Sequence, residues 1–104
     1  MTNYLLAYRG GGRPDTEAER EAVMAAWGAW FTDLGEAVVD PGNPFAASLT
    51  LSASGTTAEE GASGLTGYSV IAADSLAAAR ELAMGCPVLA GDATVEVYET
   101  FPAM

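Results

Sequence analysis

Apolar residues along the chain switch between two periods, and the switches mark the elements. NYLLAYR (3–9) is a short aromatic and aliphatic run that reads as a strand. GGGRPD follows as a loop. Thr16 with Glu19 three residues on makes a capping box, with acidic residues in the first turn where the helix dipole favours them. From Val23, positions 23, 27, 30, 31 and 34 (Val, Trp, Trp, Phe, Leu) share one helical face, with Ala26 beside them. The helix therefore runs to about Leu34, where Gly35 supplies a left-handed cap. After the turn-rich DPGNP (40–44), FAASLTLSA alternates cleanly and predicts a strand, while the small, polar SGTTAEEGASG (54–64) predicts a mobile hairpin loop. LTGYSVIAA (65–73) is a third strand. Asp74 or Ser75 caps a second helix that Gly85 and Pro87 end, and DATVEVYETF (92–101) is a fourth strand.

The order βαββαβ, with no internal repeat, predicts a single α+β domain over 1–104 in the ferredoxin-like split pattern. Two helices then cover one face of a four-stranded antiparallel sheet. Strand parity puts Leu5, Ala7, Leu49, Leu51, Ile71, Val95 and Val97 on the covered face. The other face receives Tyr4, Leu6, Tyr8, Ser48, Thr50, Ser52, Tyr68, Val70, Thr94, Glu96 and Tyr98, which includes all four tyrosines. Such a face is too apolar for water and too polar for a dry core. Tyrosine buries area while keeping a polar tip, so this face predicts a homodimer in a dimeric α/β-barrel-like assembly.

Composition narrows the chemistry. The net charge is −10, with four arginines, no lysine and no histidine. A surface this acidic repels phosphate backbones and anionic lipids, which argues against nucleic-acid and membrane-surface partners. Without lysine there is no phosphate-loop lysine and no Schiff base; without histidine there is no Ser-His or Cys-His pair and no imidazole ligand. No metal or cofactor is expected. Cys86 stands alone, so no intrachain disulfide forms, and no signal or membrane segment is visible, which makes the cytoplasm the expected compartment.

The remaining candidates are few. The tryptophan stripe reads as core at Trp30, with Trp27 edging a pocket between helix and sheet. Cys86 has no histidine partner and reads as packing. Glu96 lies on the tyrosine-rich face, where burial could make it a general base, or where it pairs with an arginine or sits in water. The GGGR segment (10–13) matches no dinucleotide or P-loop fingerprint and reads as a loop. Neither the Glu17, Glu19 and Glu21 cluster nor Glu59 and Glu60 has a calcium-loop pattern, and both read as solvated faces.

MAAWGAWFTDLGEAVVDPGNPF, LTGYSVIAADSLAAARELAMGCPVL and TVEVYE together resemble the YCII-related proteins, in the branch labelled DGPF-domain, over nearly the whole chain. The resemblance implies a ferredoxin-like fold that dimerises face to face. Its members are bacterial and mostly of unknown function, some encoded near sigma factors, and a few broader relatives act on chlorinated muconolactones. Members with a histidine on the first helix and an aspartate before the final strand differ from this chain. Here those regions hold Trp27 or its neighbours and Cys86-Pro87, and GASGLTG replaces the literal DGPF motif. That dyad cannot operate here. The expected function is a dimeric domain that binds a small ligand or partner, with Trp27, Tyr68 and Tyr98 as pocket residues. The alternative is a small cofactor-independent enzyme, lactone isomerase-like or lyase-like, using Glu96 or Asp33 as base and tyrosine hydroxyls to steady an enolate.

Overall fold

A computed structural model of the chain describes residues 1–10, 15–58 and 64–103. Strand β1 (Thr2–Arg9) leads to helix α1 (Glu17–Leu34), a short helical turn and strand β2 (Val38–Asp40). A hairpin of β3 (Thr50–Ser52) and β4 (Gly55–Ala58) comes next, then β5 (Leu65–Ala73), α2 (Leu76–Ala83), a second short turn and β6 (Thr94–Glu99). The main sheet is fully antiparallel in the order β2-β5-β1-β6, with the two helices on one side. This is the ferredoxin-like βαββαβ arrangement.

The N-terminal helix signals act as expected. Thr16 Oγ1 accepts a hydrogen bond from the Glu19 amide at 3.1 Å, and the Glu19 carboxylate accepts one from the Asp15 amide at 3.1 Å. Gly35 ends α1 with its amide donating to the Phe31 carbonyl, but at φ 55° and ψ −121° it is not the expected left-handed cap. Of the two expected caps for α2, Ser75 is the one used, accepting from the Ala78 amide.

Two expectations fail for identifiable reasons. The strand that pairs with β5 is Val38–Asp40, not FAASLTLSA. The Asp40 carboxylate accepts from the Gly42 amide at 2.9 Å, and Gly42 holds φ 74°, so the chain turns before the alternating run begins. A Cβ at Gly42 would meet the Tyr68 carbonyl oxygen at 1.8 Å, so only glycine fits this turn. Pro44 then bridges Gly67, and only Thr50–Ser52 of the run forms strand. Those three residues pair with Gly55–Ala58, which belonged to the expected loop, in a separate two-stranded sheet. Residues 11–13 of the glycine-rich loop, and Glu59 and Glu60, lie outside the described residues.

The second failure is the parity of β1. Tyr4 pairs with Ile71 and Glu99, and Leu6 pairs with Ser69 and Val97. Even positions of β1 therefore share a face with odd positions of β5 and β6. Tyr4, Leu6 and Tyr8 are buried with Trp30, Ile71, Ala73, Ala79, Ala83 and Cys86 under the helices. The opposite face carries Leu5, Ala7, Arg9, Tyr68, Val70, Ala72, Glu96 and Tyr98. Two tyrosines, not four, occupy it.

The tryptophan stripe closes the helix side. Trp30 is 6% exposed, and its indole N–H donates to the Leu82 carbonyl at 3.2 Å, tying α1 to the end of α2. Trp27 is half-buried, edge-on to Tyr8 at 5.2 Å and to Trp30 at 5.7 Å, with Phe31 at 5.8 Å. Val23, expected in the same stripe, is exposed, because the core reaches only the C-terminal half of α1. Trp30→Ala should lower stability by about 3–5 kcal/mol, as burying an empty ring volume does. Trp27→Phe, which keeps a ring against Tyr8, should lose much less when both variants are unfolded in urea. Equal, severe losses at both positions would contradict the assignment of Trp30 as the anchor.

Candidate functional site

The sheet divides the expected site residues between its two sides. Trp27 lies on the helix side against Tyr8, whereas Tyr68, Tyr98 and Glu96 lie on the open side. The three pocket residues Trp27, Tyr68 and Tyr98 therefore do not converge. Asp33 sits near the C-terminal end of α1 and is exposed.

On the helix side, the polar groups form a closed chain. The Tyr8 hydroxyl donates to Ser69 Oγ at 2.7 Å, and Ser69 donates to the Pro41 carbonyl at 2.7 Å. This chain links β1, β5 and the turn after β2. Cys86 lies beside Tyr8 and is buried, and burial pushes its thiol pKa up, with smaller downward pulls from the Val88 backbone and the Tyr8 hydroxyl. Burial also pushes the Tyr8 phenol well above its ordinary value. A neutral thiol and a neutral phenol make a packed interior, not a nucleophile and its base. No buried side-chain polar atom among the described residues lacks a partner.

The open side has a different character. Ala7 is 2% exposed and sits in register between Tyr68 on β5 and Glu96 on β6, so it floors a shallow trough. Leu5, Val70 and Ala72 continue the apolar floor. One wall is Tyr68, whose hydroxyl donates to Asp40 Oδ2 at 3.1 Å and whose ring stacks on Phe45 at 5.9 Å. The other wall is an ion pair of Arg9 with Glu96, the carboxylate also accepting from the Tyr98 hydroxyl. Asp40 raises the Tyr68 phenol, and Glu96 raises that of Tyr98.

Glu96 therefore has both oxygens engaged. The Tyr98 hydroxyl first, and Arg9 second, hold its carboxyl below the usual range. An ionised carboxylate held by a phenol and a guanidinium therefore stands at the edge of the trough. Arg9, Asp40, Phe45 and Ala7 belong to this site although the sequence did not single them out; strand register, not residue type, brings them there. Among the described residues no group of three acidic, cysteine or histidine side chains could hold a metal ion, and no helix is long and apolar enough to cross a membrane. No protein-family model, curated protein or solved structure matches the chain.

The inner chain of hydrogen bonds sets a measurable order. Ser69→Ala strands both the Tyr8 hydroxyl and the Pro41 carbonyl and should cost about 1–3 kcal/mol, more than Tyr8→Phe, which removes only a donor. Stability should also fall in alkali. Cys86 and Tyr8 have native pKa values above their ordinary 9.0 and 10.0, so the unfolded chain releases these protons first. The stabilisation is complete below 9.0 and is lost as pH rises through 10.0 toward the raised native values. A urea midpoint unchanged from neutrality to well above pH 10.0 would contradict this.

Proposed function

We propose that the chain is a non-catalytic binding domain of the YCII-related kind that works as a homodimer, with two open sheet faces packed on each other. The observation that carries this reading is the apolar character of the sheet side away from the helices, where Leu5, Val70 and Ala72 surround Ala7 on the two central strands.

The open face also has the anatomy of an interface. Leu5, Ala7, Val70 and Ala72 form an apolar centre, and Tyr68, Tyr98, Arg9 and Glu96 form a polar rim whose charges are paired within the chain. Pairing Arg9 with Glu96 before association removes the penalty of burying either charge alone. Two troughs floored by Ala7 and facing each other would enclose a chamber walled by phenols. Such a chamber suits a small, neutral, largely apolar ligand that can exchange hydrogen bonds with Tyr68 or Tyr98. Glu96, already ionised and paired, serves the rim and not a proton transfer.

Sedimentation equilibrium at micromolar concentration should give about twice 10.6 kDa. Tyr98 is 50% exposed in the protomer, so Tyr98→Asp should fold and yet dissociate the pair by burying an unpaired charge. A wild-type mass of 10.6 kDa would contradict the reading. For the chamber, the neutral aromatic probe N-phenyl-1-naphthylamine should bind the dimer saturably. Absence of saturable binding would remove the ligand and leave assembly alone.

A further inference from the structure

From the exposed hairpin we infer that β3–β4 is a dimer arm, whose Leu49 and Leu51 are buried against a second copy of this chain. The inference rests on the face-to-face reading and extends that surface beyond the main sheet.

Three observations converge on the hairpin. It forms its own two-stranded sheet, separate from the main one, and an isolated two-stranded hairpin is marginal in water without a surface to pack on. The segment leading into it alternates Phe45, Ala47, Leu49 and Leu51 with Ala46, Ser48, Thr50 and Ser52, a pattern that implies one buried face. Within its own chain that burial does not occur: Leu49 is 58% and Leu51 is 66% exposed.

Direction selects the partner. Phe45 is held by its amide, which donates to the Thr66 carbonyl at 2.8 Å, and its ring stacks on Tyr68. Tyr68 belongs to the open side, so the segment that leads into the hairpin is anchored beside the surface where a second sheet would sit. Each protomer then reaches toward its twin, and the two-fold makes the contact reciprocal. Charge points the same way. Each chain carries −10, yet residues 45–58 hold no charged side chain. A second copy, otherwise repelled, meets a neutral surface there.

The test uses the full chain with the pair of substitutions Leu49→Asp and Leu51→Asp. Both side chains are exposed in the protomer, so circular dichroism should show an unchanged fold. The dimer dissociation constant from sedimentation should rise at least tenfold. In the wild type, hydrogen exchange of the β3 amides should be slower above that constant than after dilution below it. A dimer that Tyr98→Asp dissociates but the leucine pair leaves unchanged, with exchange independent of concentration, would overturn the arm and keep the open-face reading. A wild-type chain that stays monomeric at every concentration would overturn both.

Discussion

The two central strands are apolar on both faces, and everything else in the structure depends on that constraint. An antiparallel sheet with one face in water alternates apolar with polar residues along each strand. Strand β1 instead turns Tyr4, Leu6 and Tyr8 to the helices and Leu5 and Ala7 away from them. Strand β5 does the same with Ser69, Ile71 and Ala73 on one side and Tyr68, Val70 and Ala72 on the other. Two helices cover one side of the four-stranded sheet, and the second apolar side is the surface on which the proposed dimer packs. The polar groups follow from the same constraint. Tyr8 and Ser69 satisfy each other inside, while Arg9, Glu96, Tyr98, Asp40 and Tyr68 satisfy each other at the edges of the open side.

How far this was legible in the sequence depended on whether local chemistry or pairing decided the outcome. Thr16, Glu19, Gly35 and Ser75 act through neighbours a few residues away, and the helix limits follow from them. β5 is bracketed by small polar residues and a helix cap, and Leu65–Ala73 reads off directly. The face of β1 was not readable, because strand alternation is local while the choice of side is made by register with a partner. Pairing even residues of β1 with odd residues of β5 reversed it. β2 failed for another reason: Val38–Asp40 is too short to signal itself beside the longer alternating run that follows it.

The candidate site shows the same division. Tyr68, Tyr98 and Glu96 were correctly placed on one face, because β5 and β6 run in the parity the sequence suggested. Trp27 packs between helix and sheet, as its place in the helical stripe implies, and its ring meets Tyr8 on the helix side, away from Tyr68 and Tyr98. Arg9 and Ala7 reach the open face only through the reversed register of β1, so the ion pair that occupies Glu96 could not be read from spacing.

In the proposed dimer the native state includes a second chain. Thermal unfolding over a hundredfold range of protein concentration tests it most directly, because mass action stabilises an associated native state and leaves a monomeric one unchanged. The melting temperature should rise steadily with concentration. A melting temperature that stays constant across that range would contradict the account.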